Sequence, residues 1–294
     1  MPVTPPKTGQ WMQNASAITE RMLKAGRNGR QRFYDEGVEI ARYGYAPDYK
    51  FEYQTLPSAS FFKAKVALTA EAIRVFGPLL YQVNPHRTFT TRDNTTPQIE
   101  RVSAIVDQYI NYTPGKLDLY GNSRRAINDG LSWGRGCVWT YVDRATGLVG
   151  SEHFSVRDLL TDPDSKSWKA NRWIARRYRT TRPEAKEKYP NAKWDLCPKG
   201  GKSNAADDIL PWENRSAKVS DLVTYWCIYA KRGLLGLEGF EELVKEVQKT
   251  DEQVDLTSPL VFIVNDDGKL MDTQPWEVPF HKDCLLYTSD AADE

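Results

Sequence analysis

The hydrophobic period changes once along this chain, at Gly134-Arg-Gly136, and that change constrains the fold more than any other feature. Before it, apolar residues recur every three or four positions, as one face of a helix requires. After it, short β-branched and aromatic runs alternate with Gly, Asn, Asp and Pro. A chain of 294 residues patterned this way is expected to be α+β, mainly helical over 1–133 and β-rich with hairpins over 134–283.

Residues 1–10 are Pro-rich and read as an extended arm. Trp11, Ala15, Ile18, Met22 and Ala25 predict a helix that Gly26 and Gly29 weaken and that resumes from Phe33 through Val38 and Ala41. A second helix is expected from about Ser60, using Phe61, Phe62, Val66, Ala70, Ile73 and Phe76, until Gly77-Pro78 breaks it. A third follows Pro97 with Ile99, Val102, Val106, Tyr109 and Ile110, and stops at Thr113-Pro-Gly115. A fourth covers 117–131 through Tyr120, Ser123, Ile127 and Leu131. Beyond Gly136, the runs 137–142 and 148–154 form a hairpin signature. Asp162-Pro163-Asp164 is a turn, 171–181 and 222–229 are strands, and 182–189 is a short helix stopped by Pro190. A loop is expected over 199–213, a helix over 237–248, and a second hairpin around Asp267-Gly268.

Lys and Arg total 40 against 39 Asp and Glu, which argues against a protein held to nucleic acid by bulk charge. The chain has 9 Trp, 15 Tyr and 10 Phe, too many for a disordered segment and enough for a core. No run approaches the ~18 apolar residues that span a bilayer. The opening Met1-Pro-Val-Thr-Pro-Pro-Lys lacks a signal-peptide core, so cytoplasmic synthesis is the expectation. The 4 cysteines form no CxxC pair and the 3 histidines lie far apart, so neither a zinc site nor a disulfide framework is expected.

Asp158, Asp162 and Asp164 lack the spacing of a calcium loop and suit local bonding in an Asp-Pro turn. Gly134 and Gly136 belong to no GxGxxG or GxxxxGK[ST] loop and read as a tight helix-to-strand passage. There is no GxSxG elbow, and neither His153 nor His281 has a nucleophile in a local motif. No catalytic, cofactor-binding or metal residue is assigned. Arg172, Arg176, Arg177 and Arg179 interleave with Trp173 and Tyr178. On a strand they occupy both faces, suited to a subunit interface or solvated surface, or to nucleic acid with Trp173 stacked on a base. Arg124 and Arg125 on the fourth helix carry the same alternatives.

Three segments carry a family likeness: Asn-Asp-Gly-Leu-Ser-Trp-Gly-Arg-Gly-Cys-Val-Trp-Thr-Tyr-Val (128–142), Val-Arg-Asp-Leu-Leu-Thr-Asp-Pro-Asp-Ser (156–165) and Arg-Trp-Ile-Ala-Arg-Arg-Tyr-Arg-Thr-Thr-Arg-Pro-Glu-Ala-Lys-Glu-Lys-Tyr-Pro (172–190). In this order they resemble the body of the tailed-bacteriophage portal proteins: a helix ending in a glycine turn, a hairpin, an Asp-Pro turn, an arginine-bearing strand, and a short helix. Tyr-Ala-Lys-Arg (229–232) and Pro-Trp-Glu-Val-Pro-Phe (275–280), with Trp276 and Pro279, resemble later segments of that family. The likeness spans most of 100–283; the 233–258 segment is longer than usual.

The resemblance implies a structural subunit of a ring of about twelve copies at one capsid vertex of the virion. Such a ring works with scaffolding and capsid proteins, docks terminase and head–tail adaptors, and passes double-stranded DNA during packaging and ejection. It implies no cofactor, no catalysis and no membrane contact. It also implies that this chain holds mainly the wing, with stem and clip beyond it. Two other readings stay open: another virion component binding DNA or adaptors, and a hydrolase or nuclease with a dispersed active site.

Residues 284–294, Cys-Leu-Leu-Tyr-Thr-Ser-Asp-Ala-Ala-Asp-Glu, back-translate in one frame to a transposase-type sequencing-library adapter. They are expected to be non-native, with the natural chain cut near Asp283. Without Asp290, Asp293 and Glu294 the charge balance becomes 40 basic to 36 acidic residues.

Overall fold

Helix α1, residues 15–31, turns Ala15, Ile18, Met22 and Leu23 onto a sheet, and all four are buried. The computed structural model describes residues 15–31, 68–83, 86–89, 96–142, 149–167, 170–197, 222–249 and 256–276. The elements after α1 are α2 (Leu68–Leu80), α3 (Pro97–Lys116), α4 (Leu119–Trp133), β1 (Cys137–Val142), β2 (Val149–Phe154), β3 (Leu159–Thr161), β4 (Trp173–Thr181), α5 (Arg182–Lys188), β5 (Leu222–Ala230), α6 (Phe240–Lys249), β6 (Leu260–Asn265) and β7 (Leu270–Pro275). The class is α+β, with helices first and antiparallel sheets after them.

Two compact units divide the chain. One joins Met1–Tyr34 to Arg157–Glu294, and the other is Asp35–Val156. The period change at 133/134 is thus a change of secondary structure and not the place where the units part. Hairpin β1–β2 stays with the helices, and α1 joins the sheet.

In the first unit the sheet order is β3-β4-β5-β6-β7, every pair antiparallel. One face carries Trp173, Ala175, Trp226, Ile228, Phe262 and Val264 beneath α1, Leu234 and Leu243. Burying Ile18, Met22 and Leu23 contributes on the order of 1.5–3 kcal/mol each. The Thr19 hydroxyl donates to Gly268 O at 2.8 Å, and Leu270 N donates to Ser16 Oγ at 3.1 Å, fixing α1 over the β6–β7 turn. The expected turn is present there: Gly268 N donates to Asn265 O at 3.0 Å.

Gly26 and Gly29 do not interrupt α1, because close approach outweighs their poor propensity. A Cβ on Gly26 would lie 2.9 Å from Trp173 Cη2 and 3.2 Å from Leu160 Cβ; on Gly29 it would lie 2.7 Å from Pro163 Cβ. Gly26→Ala gains about 1 kcal/mol of helix propensity and is nevertheless expected to destabilise this unit, by about 1–2 kcal/mol net of overpacking. Urea unfolding followed by Trp fluorescence checks this; a variant more stable than the parent would refute the packing argument.

In the second unit α2 and α3 each pack on α4, and α4 packs on hairpin β1–β2. The two expected proline breaks come one to two residues late. Helix α2 runs through Pro78 to Leu80, and α3 through Pro114 to Lys116. Each proline forfeits one i→i−4 bond and crowds the carbonyl four residues back, and each helix ends within two residues of it. Asp118, at φ 46°, turns the chain from α3 into α4. The predictions over 1–14, 32–67, 143–148, 199–213 and 277–294 lie outside the described residues.

Candidate functional site

The segments behind the resemblance build two junctions and one strand. At the first junction, α4 ends on Gly134, whose φ of 73° is the left-handed C-cap that glycine adopts without a Cβ penalty. Gly136 then passes beside the Ala126 carbonyl, leaving no room for a side chain. The second strand of the hairpin, β2, is tied to α4 by side chains. Asn122 Nδ2 donates to Ser151 O at 3.0 Å, and His153 N donates to Asn122 Oδ1 at 3.2 Å, so one amide pairs with the strand as a neighbouring strand would. The ring of His153 meets Asp129 Oδ2 at 2.8 Å. Sequence reading missed this pair; Asp129 and His153 are 24 positions apart on different elements, and no local pattern joins them.

At the second junction, the Asp162-Pro163-Asp164 turn forms with the local bonding expected of it: Asp164 N donates to Asp162 Oδ1 at 3.2 Å. Arg172 closes it from the start of β4. Its Nε donates to Asp162 Oδ2 at 2.6 Å, while Nη2 donates to Asp162 Oδ1 at 3.1 Å and to Asp164 Oδ2 at 2.9 Å. Burial pushes the Asp162 carboxyl up, but the Arg172 fork and the Asp164 N–H outweigh it and hold the group below its ordinary range. Asp158 pairs with Arg177, Nε to Oδ1, at 2.6 Å. The three carboxylates therefore face arginines. Among the described residues no group of three or more His, Cys, Asp or Glu is placed to hold a metal ion.

Strand β4 departs from expectation in what its arginines do. Arg176 and Arg177 are neither solvated nor available to a partner. Arg176 is 5% exposed and lies over the Tyr178 ring at 4.5 Å. Arg177 lies over Trp226 at 5.6 Å, and Arg27 of α1 approaches the same ring at 5.5 Å. Trp173 is buried in the core and cannot stack on a base. The physical reason is that the sheet is covered on both sides, so a cation on either face must find a carboxylate or an aromatic ring inside. Of the four arginines read on this strand, Arg172 and Arg179 remain exposed, Arg172 while holding Asp162 and Asp164. On α4, Arg125 is exposed, whereas Arg124 folds back over Tyr120, 5.6 Å from its ring.

The second sheet face carries Tyr225 and Cys227 beneath Tyr189 and Trp194. Burial pushes the Cys227 thiol up to about 11, so it is a poor nucleophile at neutral pH. Helix α5 begins with a capping box: Glu184 reaches back to the Thr181 N–H at 3.2 Å and accepts from the Thr180 hydroxyl. Trp276 stands against Tyr229, ring centroids 5.4 Å apart, and Trp276 N donates to Pro259 O at 2.9 Å. Pro279 lies outside the described residues.

The largest unexpected feature is apolar. Helix α3 turns Val106, Ile110 and Pro114 inward as half-buried or buried positions, but Ile99, Val102, Ile105, Tyr109 and Tyr112 outward. On and just after α2, Val75, Phe76, Leu79, Leu80 and Val83 also face out. These side chains are between 40% and 75% exposed. Ile99, Val102, Tyr109 and Phe76, counted on the apolar faces of their helices, are therefore on the surface. No described helix is long and apolar enough to cross a membrane. No protein-family model matches the chain, and no curated protein sequence matches it.

Proposed function

We propose that this chain is a subunit of a tailed-bacteriophage portal ring, which joins capsid to tail and passes double-stranded DNA during packaging and ejection. One observation carries the reading: the order of elements from α4 to α5. A left-handed glycine cap, a two-stranded ribbon, an Asp-Pro turn clamped by arginine, an arginine-bearing strand and a short capped helix occur in that order. That is the recurrent order of the portal body. The near-neutral charge is consistent with a conduit, because strong phosphate neutralisation would hold DNA in place. In this reading the chain contributes the wing, docks terminase, scaffolding, capsid and adaptor proteins around it, and performs no catalysis.

The test is native mass spectrometry with negative-stain imaging of the product of the complete gene. The expected result is a closed ring of about a dozen copies with an axial channel, since a ring needs a heterologous interface that closes. A well-folded monomer at high concentration would remove the reading and favour another virion component. Nuclease or hydrolase activity abolished by Asp129→Asn or His153→Ala, with folding intact, would favour the enzyme instead.

A further inference from the structure

The two sheets end in four outer strand edges, those of β1, β2, β3 and β7, and the protein itself occupies three of them. At β7, Lys193 N donates to Met271 O at 3.2 Å, and Thr273 N donates to the neighbouring Asp272 carboxylate at 2.9 Å. At β3, the Arg30 guanidinium donates to the Leu159 and Arg157 carbonyls. At β2, the Asn122 amide accepts from His153 N and donates to Ser151 O. The edge of β1 has no such cover among the described residues.

The Asn122 bonds also fix which backbone groups line that open edge. In an antiparallel pair, a residue turns its N–H and C=O either both toward its partner or both away. Ser151 and His153 turn theirs to Asn122, so Thr140 and Val138 opposite them turn theirs to the outer side of β1. Donors and acceptors alternate there as another extended backbone requires. Thr140 is exposed and Val138 half-buried. The strand, Cys-Val-Trp-Thr-Tyr-Val, carries no charge, proline or glycine, the residues that ordinarily keep an open edge from pairing. Trp139 and Tyr141 alternate with Val138 and Thr140 and so lie on the face opposite His153, where Tyr141 is 39% exposed.

We propose that the β1 edge binds an extended segment of a different protein, which adds a third strand to the ribbon. The occupant is β-branched or aromatic beside Trp139 and Tyr141, where cross-strand pairs form, and has no proline opposite Val138 or Thr140. A second copy of this chain is not the occupant, because identical edges pair about a two-fold axis that a head-to-tail ring lacks. That exclusion rests on the ring reading; the open edge does not.

The probe is a fluorescein-labelled peptide, Lys-Thr-Val-Thr-Val-Thr-Val-Lys, titrated against the product of the complete gene. Fluorescence anisotropy reads binding, hydrogen exchange reads the amides of β1, and native mass spectrometry reads the assembly state. In the free protein the Val138 and Thr140 amides are expected to exchange faster than those of Trp139 and Tyr141, and to slow when the peptide binds. Thr140→Pro removes an N–H that the β1–β2 ladder does not use. It is expected to melt within a few degrees of the parent and to bind about tenfold more weakly, the worth of roughly one hydrogen bond. Two peptides N-methylated on alternate amides repeat the test without touching the fold. One phase is expected to bind the parent as the unmodified peptide does, the other about tenfold more weakly.

Slow exchange at Val138 and Thr140 in the free protein overturns the proposal, because the edge is then covered by its own chain. Equal binding by the two methylated peptides overturns it, as does equal binding by Thr140→Pro and the parent, or no binding at millimolar peptide. A Thr140→Pro variant that unfolds overturns it as well, since that N–H then belongs to the ladder. A parent dimer that Thr140→Pro dissolves has the same force, because the edge then takes a second copy. A ring that fails to form while the peptide binds as described removes the ring reading alone. A ring that forms while the peptide does not bind removes this proposal alone.

Discussion

Gly136→Ala is expected to destabilise the Asp35–Val156 unit by about 3 kcal/mol, at the top of the range for overpacking. A Cβ at this position would lie 1.8 Å from the Ala126 carbonyl oxygen and 2.5 Å from its carbon. The obstacle is helix backbone, which cannot rotate aside as a side chain would. Relief requires α4 and β1 to separate, and with them the Asn122 and His153 ties. Gly134→Ala, two residues earlier, meets a different cost. Its φ of 73° is merely unfavourable for an L side chain, by about 1–2 kcal/mol. The measurement is urea unfolding of both variants, with limited proteolysis to report which unit opens first. Equal effects at the two positions would mean that the glycines act only through backbone freedom.

Arg172→Ala is expected to cost about 2–3 kcal/mol at neutral pH. Removing one member of a fully buried pair costs about 3–5 kcal/mol. The value here is lower because Arg172 is partly open to water, although the Asp162 side chain is 2% exposed. The pH dependence has a definite sign. The folded-state pKa of Asp162 is depressed, so its contribution is present above the unfolded value of about 3.9 and is lost as pH falls through the folded value. The parent should therefore lose this increment only in strong acid. In Arg172→Ala the chief cause of the depression is gone and burial raises the carboxyl, so the variant should approach the parent's stability as pH drops toward 4. Thermal melts from pH 3 to 8 read this convergence. A stability gap independent of pH would show that Arg172 acts through packing and not through Asp162.

Several elements were legible because their signals are local. Asp267-Gly268 marked the β6–β7 turn, the run 137–142 marked β1, and the Asp-Pro turn bonded as its residue types suggest. The arginine-bearing strand was legible as a strand, but the partners of its arginines were not. Arg177 meets Asp158 19 positions away, and Trp226 comes from another strand. The glycines of α1 looked like weak points because propensity is a property of one segment. Their use depends on Trp173 and Pro163, more than a hundred residues distant. The outer stripe of α3 left a readable trace. With Ile105 and Tyr112 counted, its apolar residues spread wider than the ~100° arc that serves one neighbour.

The discontinuity of the first unit sets a timetable for its synthesis. Thr19 and the Gly268 carbonyl it bonds are separated by 249 residues. At about 5–20 residues per second, α1 leaves the ribosome roughly 12–50 seconds before the turn it docks on. Until β4 and β5 emerge, Ile18, Met22 and Leu23 have no sheet to cover, and the β6–β7 part of their seat is missing for the whole interval, while the inserted unit can already fold. A nascent chain stalled before β6 would display a sticky amphipathic helix at its free end, a natural handle for a chaperone.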